Sequence, residues 1–192
     1  MKRFRDYGLK KKYDFSFTGG LHASHTDMRF LVKNELFRNK HINIKSNKGL
    51  SALFKYPIKK EFKLHNIFWA EWGAKDFFYR SLLPTGKKYG EFMNQSKVFL
   101  NTPSAMGIFN TRFFELMATK SLILCPESDS YDGFLRDNEN CVMFKKDMTN
   151  FKEKYLECIE DEIKRERIIN RAFDDVKNHS YNSRISQLLS KF

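Results

Sequence analysis

The run Ser121-Leu122-Ile123-Leu124-Cys125, closed by Pro126, constrains the fold more than any other stretch. A strand without polar alternation has no face to offer to water, so both faces must be covered. Strands of that kind belong to parallel sheets with helices packed on each side. The rest of the chain supplies the partners. Residues 13–18 alternate aromatic and polar side chains, a strand signal, and Gly19-Gly20 ends it. Met28, Leu31, Val32, Leu36 and Phe37 then fall on one helical face, with Asp27 placed as the N-cap. Residues 41–44 read as a short second strand, residues 66–72 fit strand or helix, and Pro57 and Pro84 mark breaks. Beyond Pro84 the pattern gives a helix at 87–95, a strand at 97–101 and a loop at 101–104 with Gly107. A helix carrying Phe113, Phe114, Leu116 and Met117 follows. After Pro126 come a short helix at 131–135, a strand at 141–144 and long amphipathic helical text at 150–176. Alternating strands and helices predict a Rossmann-like α/β domain, a parallel sheet sandwiched by helices, over residues 13–192.

Composition excludes several other classes. With 41% hydrophobic and 16% aromatic residues, the chain holds enough apolar surface to fold, which a disordered chain lacks. Its 192 residues suit one domain. Cys125, Cys141 and Cys158 form neither a CxxC pair nor an even disulfide set, which points to a reducing cytoplasm. No apolar run reaches the ~18 residues of a membrane span, and the basic start leads into no signal-peptide segment. The formal charge is +12, so an anionic partner is expected: nucleotide phosphates, the inner face of a membrane, or nucleic acid. Residues 1–12 read as a basic arm, with six positive charges and one Asp between Lys2 and Lys12.

In an open parallel sheet, ligands bind beyond the carboxyl ends of the strands. Two such ends stand out. Gly19 and Gly20 allow close backbone approach, and residues 101–110 feed a helix that begins near Thr111, where free N–H groups suit a phosphate. Arg112 and Glu115 lie in its first turns. Glu115 either accepts two hydroxyl hydrogen bonds from a ribose or offsets the helix dipole. His22 and His25 have no cysteine or carboxylate cluster beside them, so no metal is expected and His22 reads as a hydrogen-bonding residue of the cleft. Trp69, Trp72, Phe77, Phe78 and Tyr79, interleaved with Lys75 and Arg80, read as core and partner surface rather than a base-stacking platform. Nucleic acid is accordingly not the expected partner.

The order of residues adds to this. Residues 89–104, then Arg112-Phe113-Phe114-Glu115-Leu116-Met117-Ala118 and Ser121-Leu122-Ile123-Leu124, resemble the donor-binding half of GT-B glycosyltransferases. They are most similar to the group 1-like domain of spore-maturation-type enzymes. Residues 134–144 match that family's acidic turn and following strand, and His179-Ser180-Tyr181-Asn182-Ser183-Arg184 its closing helix. Thr18-Gly19-Gly20-Leu21-His22 with Arg29 resembles its first strand end and phosphate loop. The resemblance implies the carboxyl-terminal half of a GT-B fold and sugar transfer from a nucleoside-diphosphate donor to a glycan or lipid-linked acceptor, without a metal cofactor. It implies that Glu115 holds the ribose, that Arg29 neutralises the leaving diphosphate, and that Ser104, Gly107, Ile108 and Phe109 line the donor site; Arg112 either joins them there or is a salt-bridged helix residue. Two positions depart from the pattern: Gly107 stands where relatives carry the first of two paired acids, and Gly20 where some carry arginine. An acceptor-binding domain is not represented, so a partner chain supplying it is expected, with peripheral membrane contact a further expectation. A non-catalytic nucleotide-sugar-binding subunit and a basic nucleic-acid-binding protein are the competing readings.

Overall fold

The computed structural model describes residues 3–20, 27–37, 62, 66–72, 84–104, 106–179 and 181–190. Its first half builds β1 (Tyr13–Gly20), α1 (Met28–Leu36), β2 (Ile67–Trp72), α2 (Gly86–Asn94) and β3 (Ser96–Leu100). Its second half builds α3 (Arg112–Ala118), β4 (Leu122–Pro126), β5 (Val142–Phe144), α4 (Phe151–Glu160), α5 (Glu162–Lys177) and α6 (Tyr181–Leu189). The described strands form one sheet, ordered β2-β1-β3-β4-β5, and every neighbouring pair is parallel.

β4 is buried along its whole length, as its apolar run requires. Leu122 and Leu124 face one way, into a core with Phe15, Phe17, Val98, Leu100, Val142 and Phe144. Ile123 and Cys125 face the other way, with Phe99. Val32 and Leu36 of α1 and Phe151, Tyr155 and Cys158 of α4 close the first face. Phe92 and Met93 of α2 and Phe113, Leu116 and Met117 of α3 close the second. α5 contributes to both, through Ile168 and Ile169 on one side and Ala172 and Val176 on the other. Each large apolar side chain so buried contributes roughly 1.5–3 kcal/mol relative to exposure.

Several expectations are corrected. β1 does not stop before its glycines: Gly19 and Gly20 pair with Glu71 and Trp72 of β2. That pairing also makes residues 67–72 a strand. The helix expected at 131–135 is a 3-10 turn at Asp129–Tyr131, because Asp132 and Gly133 turn left-handed, with φ of +45° and +68°. The helical text at 150–176 is two helices, broken at Asp161, whose carboxylate accepts from the Lys164 N–H at 2.8 Å and caps α5. The strand expected at 41–44 and the break at Pro57 lie outside the described residues.

Residues 3–12 are largely exposed but anchored. They lie against α2, where Leu9 N–H donates to Asn94 Oδ1 at 3.0 Å and the Phe4 ring meets Tyr89 edge-on. Gly90 permits this approach, since a Cβ there would collide with the Arg3 carbonyl. Lys11 Nζ donates to the carbonyls of Asn94, Ser96 and Lys120 at 2.8, 3.1 and 2.5 Å. Among the described residues no helix is long and apolar enough to cross a membrane.

Candidate functional site

The strand order reverses direction between β1 and β3, so the carboxyl ends of those two strands flank an open crevice. α1 starts beside it. Asp27 caps α1 by accepting from the Arg29 N–H at 2.9 Å, which fixes Arg29 in the first turn. From there the Arg29 guanidinium spans the crevice. Nη1 donates to the Gly20 carbonyl at 2.8 Å, Nε to Thr102 Oγ1 at 2.7 Å and Nη2 to the Pro103 carbonyl at 3.2 Å. One side chain thus ties the end of β1 to the loop after β3.

Arg112 opens α3 on the same crevice, and its Nη1 donates to the Thr18 carbonyl at 2.6 Å. Thr18 Oγ1 in turn lies 2.6 Å from the Tyr89 hydroxyl of α2. Two guanidiniums therefore hold alternate carbonyls of the β1 end. Burial lowers the Arg29 pKa from its ordinary value, with Asp27 opposing and the Arg112 charge adding to the shift. Glu115, one turn along α3, is half-buried, and its carboxylate makes no hydrogen bond or ion pair with any described residue. Burial raises its carboxyl pKa above the ordinary value, and the Arg112 charge partly offsets this.

The loop from β3 to α3 is braced by Asn110. Its amide donates to the Thr102 carbonyl at 2.7 Å, and its Oδ1 accepts from Asn101 Nδ2 and from the Arg112 N–H, both at 3.2 Å. The Phe109 ring anchors the loop by stacking on Phe113 at 4.7 Å and meeting Phe114 at 5.3 Å. Ser104 closes a turn within it. Gly107 N–H donates to the Ser104 carbonyl at 2.8 Å and Ile108 N–H to Ser104 Oγ at 3.2 Å.

The fold brings Gly20, Arg29, Arg112 and Glu115 to one place, with Gly19 beside them in β1. Ser104, Gly107 and Ile108 form an exposed or half-exposed turn whose Gly107 and Ile108 amides are engaged internally. His22 lies outside the described residues. Sequence reasoning named neither Tyr89, Thr102 nor Asn110 as site residues. Their contacts to Thr18, Arg29 and the loop join positions up to 73 residues apart, and only Asn110, just ahead of the helix, carried a local signal, as a capping residue. Chemically, the crevice offers a doubly cationic wall suited to a phosphate-bearing dianion and, in Glu115, a carboxylate suited to hydroxyls.

Comparison with solved structures yields the same architecture. The carboxyl-terminal domain of a glycosyl transferase group 1 family protein (LpcC) from Francisella tularensis superposes with a TM-score of 0.56 at 12% identity, covering 92% of this chain and 95% of that one. A mutant of S. aureus TarM, in complex with fondaparinux, α-GlcNAc-glycerol and UDP, gives a TM-score of 0.62 at 10% identity over 99% of this chain. The pneumococcal O-GlcNAc transferase GtfA, in complex with UDP and GlcNAc, gives 0.58 at 12% identity over 98% of this chain. The match covers 37% of both the TarM and the GtfA chains, so this chain spans little more than a third of either. Among curated proteins no match is found. The sequence profile of the glycosyl transferase-like family matches residues 45–190, well over half of the chain, and the chain belongs to that family.

Proposed function

We propose that this chain binds the nucleoside diphosphate of a sugar donor at the carboxyl ends of β1 and β3, for transfer of the sugar to a glycan or lipid-linked acceptor. The observation that carries this reading is the pair Arg29 and Arg112 converging on the end of β1, with Glu115, whose carboxylate bonds to no described residue, one turn along from Arg112. Glycosyl transfer breaks the bond between the anomeric carbon and a phosphate oxygen, so negative charge grows on the departing diphosphate. Two guanidiniums already fixed by backbone carbonyls stabilise that charge with little rearrangement. In this reading Glu115 accepts hydrogen bonds from the ribose hydroxyls, and Gly20 lets the donor approach the strand end, whereas the side-chain position of Gly19 is filled by the Phe17 ring. The Phe109 amide also serves the diphosphate in this reading, while those of Gly107 and Ile108 are engaged by Ser104. On the same reading the two guanidiniums supply the positive charge, and no metal is needed. The UDP complexes of TarM and GtfA support a nucleotide donor, and the larger size of those chains supports an acceptor-binding part contributed by a further domain or partner chain.

The test is thermal unfolding in EDTA with uridine, guanosine, adenosine, cytidine and thymidine diphosphates. At least one should raise the Tm of the wild type by several degrees, and that rise should largely vanish in Glu115→Ala. A wild type indifferent to all five, or a Glu115→Ala variant that responds fully, would remove the donor-site reading.

A further inference from the structure

We infer that Tyr89 is a positioning residue for the donor site, holding the end of β1 through Thr18 so that Arg112 presents its free edge to the diphosphate. The inference rests on the donor-site reading above. At the end of β1, Gly19 and Gly20 pair with Glu71 and Trp72 of β2 on one side, but the ladder to β3 ends at Ser16 among the described residues, so on that side side chains hold the strand end. Gly20 is held by Arg29 at 2.8 Å. Thr18 is held twice: its carbonyl by Arg112 Nη1 and its hydroxyl by Tyr89, each at 2.6 Å. The two contacts on Thr18 come from different helices, α3 and α2, so one residue joins β1, α2 and α3.

The Tyr89 phenol is suited to this task. Burial raises its pKa, which keeps the hydroxyl protonated and able to donate, while its ring also feels the Arg112 and Glu115 charges. The ring itself is fixed on two sides, by Phe92 at 6.1 Å and by Phe4 of the amino-terminal segment at 6.5 Å. Residues 3–12 therefore buttress the crevice from behind α2. Arg112 spends only Nη1 on the Thr18 carbonyl among the described residues, leaving its remaining N–H groups for a ligand. A guanidinium with one anchor holds a phosphate only as precisely as that anchor is placed, and on the β3 side of β1 Tyr89 braces Thr18 without touching the ligand.

Isothermal titration of wild type, Tyr89→Phe, Thr18→Val and the double variant decides this. The probes are the nucleoside diphosphate that wild type binds best of the five and its parent nucleoside, the latter measured by displacement. Loss of one positioning hydrogen bond should weaken diphosphate binding about three- to tenfold in Tyr89→Phe and leave nucleoside binding as in wild type. The double variant should be no weaker than the weaker single, since both act through one bond. Wild-type diphosphate affinity in Tyr89→Phe, or equal losses for diphosphate and nucleoside, would overturn the role of Tyr89 while leaving the donor site standing. A wild type that binds no diphosphate overturns both.

Discussion

A carboxylate that is to meet two hydroxyls cannot already be satisfied, and Glu115 shows what this costs the empty protein. It sits half-buried, within reach of the Arg112 charge but with its carboxylate bonded to no described residue. Its folded pKa is raised above the ordinary 4.5 by burial. The folded state then holds the proton more tightly than the unfolded chain does. Its stabilising contribution is therefore complete below pH 4.5 and lost as pH rises through the folded pKa. Glu115→Gln keeps the shape and removes the charge. Without nucleotide, the variant should be more stable than wild type at pH 7, a gap that closes below pH 4.5. Its response to nucleoside diphosphates should fall at the same time. Denaturant midpoints across pH 4–8 measure both, and a variant less stable than wild type at pH 7 would show that Glu115 already has a partner.

At the level of elements, periodicity located most strands and helices because apolar spacing is a local property. The same reasoning missed what depends on distant contacts. The ambiguity at residues 67–72 was settled by six parallel pairings to β1, which no local pattern encodes. Residues 3–12 are largely exposed, as a run of lysines and arginines reads, but their anchoring to α2 depends on contacts distant in sequence. Lys11 is the clearest case. Its ammonium lies against the last carbonyl of α2 and the carbonyl of Lys120 just beyond α3, where helix dipoles favour a cation. Burial nevertheless lowers its pKa from 10.5 to about 8, with nearby Arg165 and Lys120 adding and Glu166 and Asp6 opposing. Between those values the unfolded chain binds more protons, so stability should rise with pH from 8 to 10.5, by up to about 3 kcal/mol. Exposed lysines titrate in the same range, so the quantity to measure is the difference between wild type and Lys11→Met in denaturant midpoints at pH 7.5 and 10. Wild type should gain on the variant; an unchanged difference would mean that this ammonium is not desolvated.

For the whole molecule, one apolar strand sufficed to imply a covered parallel sheet, and motif order sufficed to suggest the family. Of the candidate site's charged residues, Arg112 and Glu115 were legible because they stand at a helix start after a strand, and Arg29 only through the family resemblance. The shell that fixes them, Tyr89, Thr102 and Asn110, was not, because it is assembled by topology. The same distinction bears on the charge of +12, which by itself suits nucleic acid as well as nucleotides. Ionic strength separates the two. A surface that neutralises several phosphates of a duplex loses about 10³-fold or more in affinity between roughly 50 and 200 mM salt. A diphosphate held by two part-buried guanidiniums is screened far less, because salt acts mainly on exposed charges. Binding of the preferred nucleoside diphosphate should therefore weaken by less than about tenfold over that range. Titrations at the two salt concentrations, with a duplex of about 20 base pairs as comparison, provide the measurement. A steep fall for the nucleotide would place it on the exposed lysines rather than in the crevice, and duplex binding that outlasts it would return nucleic acid to consideration.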